Sequence, residues 1–292
     1  MIYQLRHLTT YRYESPVTLA RCVLRLRPRD TAHQAVLESH LSITPRPAQT
    51  REHTGPFGER VVMATVETPH RELRIEARAR VSVNRPARPT PLGGEMWEEV
   101  RRDAAEAIGL DAASPVHFLY PTPMTPIVRP ITDYGRQCFT PGRPVIEAAH
   151  ALACQIRFDF QYDPKSTEVT TPATEAFAAR HGVCQDFSHV MISAMRGLGL
   201  PAAYVSGYLR TTPPPGRPRL EGADATHAWV SVWCGARDGW IGFDPTNALV
   251  VAGDHIVLAV GRDYADVAPI DGVILGSGKQ RLKVAVDVTP VE

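Results

Sequence analysis

Apolar and polar side chains alternate without a break through residues 73–83, LRIEARARVSV. A period of two puts every apolar side chain on one face, as in a strand with one side buried. Similar runs fall at residues 18–27 and 36–43. Turn signals lie between them, at Pro45 and Pro47 and then at Gly55, Pro56 and Gly58. Several short strands with turns between them predict an antiparallel β-sandwich or barrel-like domain over residues 1–84. A Pro-rich stretch at 85–94, a charged helical stretch at 95–107 and a second Pro-rich run at 121–130 read as a connector, 85–142, that packs over both domains.

From Pro144 onward the period becomes helical. One helix is expected over 145–156, opened by the proline, and a short one over 173–180. The short helix runs into His181 and Gly182, where glycine is expected to supply the left-handed cap. Next, Cys184, Phe187, Met191, Ala194 and Leu198 have the spacing of one buried helix face. Strands are expected at 203–209, 255–260 and 282–288. Residues 226–233 and 239–244, rich in aromatic and β-branched side chains around a short loop with Asp238-Gly239, read as a hairpin. Pairing them brings His227 and Asp244 to the same open end. A polar, Pro-rich loop at 211–219 reads as a rim. Residues 143–292 thus form an α+β core with C-terminal strands.

This pattern places Cys184 in the first turn of a helix, where unpaired N–H groups and the positive end of the macrodipole stabilise negative charge. A lone cysteine at such a position reads either as a nucleophile or as a small buried hydrophobe. With a histidine and a carboxylate on the hairpin, the parts suit nucleophilic acyl chemistry. The imidazole takes the thiol proton, the carboxylate holds the imidazole in one tautomer, and a backbone N–H at the helix start donates to the oxyanion.

Composition narrows the partners. The 292 residues carry a net charge of +1, which gives no reason to expect nucleic acid or an anionic membrane. The local arginines Arg21, Arg25, Arg27 and Arg29 read as a solvated strand face. The five cysteines, Cys22, Cys138, Cys154, Cys184 and Cys234, form no CxxC pair, so neither a zinc site nor a disulfide framework is expected. The N-terminal residues lack a signal-peptide pattern and no apolar run spans a bilayer, so a cytoplasmic location is expected. His181, Cys184 and His189 converge poorly for a metal. His189 reads as structural, as do Arg262, Asp263 and Tyr264, and Asp186 reads as a local cap.

The words GVCQDF (182–187), GLPA (199–202), VSGY (205–208), THAW (226–229) and GWIGFDPTN (239–247) occur in that order. Together they resemble the bacterial transglutaminase-like family, a branch of the papain-like cysteine enzymes. The opening LTTYRY (8–13) and closing GRDYADVAP (261–269) look like that family's β domain and final segment, and residues 85–142 are the least distinctive. The resemblance implies a nucleophile at Cys184, a base at His227 and an orienting acid at Asp244, with the cysteine-bearing helix packed on an antiparallel sheet. It implies thioester chemistry on a peptide or carboxamide of a peptide or protein substrate. The thioester is resolved by water in a protease, amidase or deamidase, or by an amine in a transglutaminase. Tyr162, Gln185 and Trp229 are candidates for a side-chain oxyanion donor or substrate contact. No cofactor or metal is expected, since no EF-hand loop occurs. The reading from another class is a non-catalytic peptide-binding protein that keeps the fold.

Overall fold

The computed structural model describes residues 1–86, 93–164, 166–211 and 225–291. The loop expected at 211–219 lies outside these residues apart from Thr211, as does much of the Pro-rich boundary at 85–94. Six strands open the chain: β1 (Ile2–Val17), β2 (Leu19–Leu24), β3 (Gln34–Thr44), β4 (Gln49–Thr54), β5 (Arg60–Val66) and β6 (His70–Val83). The core follows with α1 (Trp97–Ala105), a 3-10 turn (Pro115–Phe118), α2 (Arg129–Arg136), α3 (Val145–Asp159), β7 (Gln161–Tyr162), α4 (Ala173–Ala179), β8 (His181–Gly182) and α5 (Cys184–Gly197). Then come β9 (Ala202–Leu209), β10 (Ala225–Trp233), β11 (Trp240–Asp244), β12 (Leu249–Val250), β13 (His255–Gly261) and α6 (Tyr264–Val267). The chain ends with β14 (Ile270–Leu275) and β15 (Gln280–Pro290).

Two antiparallel four-stranded sheets, ordered β15-β1-β6-β3 and β14-β2-β5-β4, form the N-terminal sandwich. Tyr13, Val17, Leu24, Val62, Leu73 and Ile75 fill the space between them. Along β6 the buried positions alternate as the sequence requires. The strand expected at 282–288 within the 143–292 unit joins this sandwich instead, together with β14, which the sequence pattern does not show. β15 lies along β1, with Leu5 opposite Val288, and β14 lies along β2, with Cys22 opposite Gly272. The chain therefore leaves the sandwich, builds the core and returns to complete both sheets.

The core sheet runs β12-β11-β10-β9-β13. Ala228, Val230, Val232 and Phe243 pack with Phe187, Met191 and Met195 of α5 in the main core. The expected hairpin is present, with Trp233 opposite Trp240 and Val230 opposite Phe243. α5 is covered on every side, not on the single face expected: every residue from Gln185 to Arg196 is buried. The last helix of the supposed connector is one of its covers. A Cβ on Gly135 of α2 would stand 2.9 Å from the Cβ of Ala194, so glycine lets the two helices touch.

Gly182 does not cap α4. Arg180 takes the left-handed conformation instead (φ 57°), and its guanidinium lies 4.0, 4.8 and 4.9 Å from the ring centres of Phe177, Tyr134 and Phe160. That cation–π nest offsets the strain of a side chain at positive φ. Gly182 lies in β8 beside β7, where a Cβ would come within 2.6 Å of an Asp186 carboxylate oxygen.

Sandwich and core meet through Tyr3, Leu5 and Val81 against Tyr208, Ile256 and Leu258. The side chain of Gln34 pairs with the β13 backbone, donating to Val257 O and accepting from Val257 N–H, both at 2.8 Å. His7 is buried in the same seam, its Nδ1 2.9 Å from the Tyr208 hydroxyl and its Nε2 2.9 Å from Thr9 Oγ1. Burial pushes His7 down to about 4 from an ordinary value of 6.5. The unfolded chain therefore binds a proton first as pH falls, and the stability contributed by neutral His7 is lost between about 6.5 and 4. At roughly 1.4 kcal/mol per pH unit, the loss reaches about 3 kcal/mol. Urea unfolding across that range is expected to show a shallower fall for His7→Gln than for the parent chain.

Candidate functional site

The segment before α5 is fixed by its own backbone. β7 pairs with β8 in parallel, and the Asp163 N–H donates to Gly182 O at 2.9 Å. Asp186, third residue of the helix, reaches back so that its Oδ2 accepts from Val183 N–H at 2.8 Å and from the Thr167 hydroxyl at 2.6 Å. Burial, the largest influence on it, raises this carboxyl despite those hydrogen bonds. Asp186 thus acts as the local cap the sequence suggests. Cys184 begins the helix with its side chain only partly buried. Its carbonyl accepts from the Ser188 hydroxyl at 2.8 Å.

His227 and Asp244 lie on neighbouring strands at the open end of the hairpin. The His227 Nε2–H donates to Asp244 Oδ2 at 2.8 Å, and Cys184 acts electrostatically on the same imidazole. With Nε2 facing the carboxylate, Nδ1 is the other ring nitrogen. His227 is 9% exposed and Asp244 fully buried. Burial opposes an imidazolium here, but the hydrogen bonds to Asp244 and Cys184 and the carboxylate charge outweigh it and raise His227 to about 10.

Asp244 is the most heavily bonded group in the site. Besides His227, its Oδ2 accepts from Asn247 Nδ2 at 2.7 Å and His255 Nε2 at 3.1 Å. Its Oδ1 accepts from the Thr246 and Asn247 backbone N–H groups at 2.9 and 3.1 Å. Burial favours the neutral acid, yet these donors and the imidazolium together hold the carboxyl far below its usual range. For His255 burial is the largest influence and lowers its basicity. Neither Asn247 nor His255 was singled out by the sequence. Asn247 sits in the quoted FDPTN word, but His255 opens a strand three places from that of Asp244 in the sheet, and no local signal ties the two together.

Among the described residues, His227, Asp244 and His255 form the one grouping whose ligand atoms, all within 4.8 Å, are close enough to share a metal. Those atoms are spent on hydrogen bonds that converge on a carboxylate oxygen, not on a common vacant point.

The three oxyanion candidates part company. Gln185 is buried and its amide donates to Val169 O at 2.9 Å, so it is occupied. Trp229 is buried too. Its indole stacks on the His227 ring, centres 6.3 Å apart, and meets His255 edge-on at 5.1 Å. It reaches across β9, where a Cβ on Gly207 would stand 2.5 Å from its Cη2. Tyr162 stays half-exposed and packs on Phe187. His189 is fully buried, and its Nε2 accepts from Tyr264 N–H at 3.2 Å.

An antiparallel sandwich followed by an α+β core whose central helix begins with a cysteine beside a His–Asp pair defines a transglutaminase-like, papain-like architecture. Residues 3–82 match the bacterial transglutaminase-like N-terminal region and residues 132–245 the transglutaminase-like superfamily. The chain belongs to the bacterial transglutaminase-like family, a family of cysteine-based enzymes. It is similar to the uncharacterized protein Rv2569c of Mycobacterium tuberculosis, with 39% identity over 99% of this chain and 93% of the relative. It is also similar to the uncharacterized protein ML0607 of Mycobacterium leprae, with 32% identity over 97% and 96%. The crystal structure of a proposed cysteine protease from Cytophaga hutchinsonii superposes with a TM-score of 0.77 at 22% identity, covering 100% of this chain and 92% of that one, which shows a common fold.

Proposed function

We propose that the chain is a cysteine acyl-transfer enzyme that acts on peptide or carboxamide bonds of a peptide or protein, with Cys184 as nucleophile, His227 as base and Asp244 as orienting acid. The observation that carries this reading is the His227–Asp244 pair on the hairpin, with the partly exposed Cys184 acting on the same imidazole. In the mechanism, the His227 imidazole takes the proton of the Cys184 thiol. The sulfur attacks the carbonyl carbon, and first-turn N–H groups of α5 hold the oxyanion. The imidazolium then protonates the departing amine, leaving a thioester. Asp244 stays ionised throughout and fixes the ring with Nδ1 toward the sulfur.

Water resolves the thioester in our preferred reading, since it requires no acceptor pocket. Incubation with a glutamine-bearing peptide and a labelled primary amine tests this. Ammonia release with little label in the peptide is expected, and robust incorporation would make the chain a transglutaminase. Release of neither ammonia nor a new amino terminus from any such peptide, with saturable peptide binding retained, would favour a non-catalytic binding protein.

A further inference from the structure

A cavity of about 540 Å³ lies where the sandwich, residues 112–118 and the core sheet meet. Its lining includes none of Cys184, His227 or Asp244. Phe57, Phe118, Val205, Trp229, Val257 and Trp240 supply apolar and aromatic walls. Trp240 is pinned there, its Nε1–H donating to Ala113 O at 2.8 Å.

Two guanidinium groups, Arg29 and Arg85, line the same cavity. Arg85 Nη1 donates to the carbonyls of Ala252 and His255 at 3.2 and 3.1 Å. Arg29 Nη1 donates to Phe57 O at 2.5 Å, while its buried Nε has no hydrogen-bond partner. Leaving a charged donor dry and unpaired is costly. Asp238, the one carboxylate among the described lining residues, sits 3.0 Å from Arg237, and Glu59, the buried carboxylate that acts on Arg29, spends Oε2 on the Phe57 N–H at 3.0 Å. An apolar chamber at a domain junction with a few placed polar groups is the usual form of a small-molecule site. Guanidinium is the group best shaped to take a carboxylate.

We propose that this cavity binds a small carboxylate with an aromatic or branched apolar body, the carboxylate on Arg29 and the body against Trp229, Trp240 and Phe118. The site is separate from the thiol chemistry, although Trp229 is shared between the cavity wall and the His227 ring.

Titration of the full chain with 4-phenylbutyrate, followed by tryptophan fluorescence, tests it. Saturable binding is expected in the millimolar range or tighter, as a dozen heavy atoms allow. Arg29→Gln is expected to weaken it at least tenfold. Ala203→Phe, which fills the chamber, abolishes it, and 4-phenylbutylamine, with the same body and opposite charge, does not bind. The Cys184→Ala chain binds as the parent does, which separates this site from the thiol. No saturable change, equal binding of the amine, or full binding by Arg29→Gln would overturn the proposal. If Ala203→Phe does not fold, Arg29→Gln and the amine decide the matter.

Discussion

Cys184→Ala is expected to abolish ammonia release from glutamine-bearing peptides while leaving the fold intact. The sulfur is the sole atom at this position able to form the thioester, so what remains is the small acceleration that binding and oxyanion donors give to direct attack by water. In enzymes whose nucleophile and base act as a unit, losing the nucleophile costs about 10⁶-fold in turnover. The side chain is partly exposed at the start of α5, so truncation opens no cavity in the core and melting should change little. A loss of activity explained by unfolding would show as an equal loss of cooperative melting, which is not expected. Activity persisting within tenfold of the parent would assign the chemistry elsewhere.

Asp244→Asn is expected to have the second largest effect, on turnover and on stability together. Asp244 accepts from His227, His255 and Asn247 at one oxygen and from two backbone N–H groups at the other. An amide has one acceptor oxygen, so either orientation aims an NH₂ group at donors. His227 then loses the partner that fixes its tautomer, a loss worth about 10⁴-fold in turnover where it has been isolated. Breaking a buried ion pair from one side costs on the order of 3–5 kcal/mol. The pH dependence of that cost has a definite sign. His227, raised above its ordinary 6.5, contributes stability that is complete below about 6.5 and lost as pH rises through about 10. Asp244, depressed below its ordinary 3.8, contributes stability that is complete above about 3.8 and lost as pH falls through its lowered value. The stability gap between the parent and Asp244→Asn is therefore widest near pH 4–6.5 and narrows toward pH 10. Denaturant unfolding at several pH values measures it, and a gap that widens above pH 8 would contradict the assignment.

Period-two alternation located β6 well because one of its faces is buried, and the hairpin of β10 and β11 was legible because its strands are adjacent in the chain. Alternation tells which face of a strand is buried, but not which sheet it joins. Hence residues 282–288 read as a strand of the 143–292 unit, whereas β15 pairs with β1 of the sandwich. β14 escaped notice because Asp271 to Leu275 are exposed on both faces, leaving no pattern to see. α2 escaped because the Pro-rich run at 121–130 reads as connector, whereas Pro130 sits in the helix's first turn. The single buried face expected of α5 rested on equating polar with exposed. Ser188 and Arg196 are buried, but satisfied: Arg196 alone donates to the carbonyls of Phe118, Tyr120, Ala202 and Arg262. The nearness of His227 and Asp244 was legible from the hairpin, while His255 depends on the pairing of β13 with β9, which no local pattern encodes.

Site-resolved iodoacetamide labelling at neutral pH tests most directly whether His227 activates Cys184. Cys22, Cys138 and Cys234 are buried, and burial pushes the thiols of Cys22, Cys138 and Cys154 up. Cys184 is expected to alkylate well before those four, and His227→Ala is expected to slow it markedly without changing the others. Labelling of Cys184 no faster than the rest, or unaltered by His227→Ala, would contradict the account.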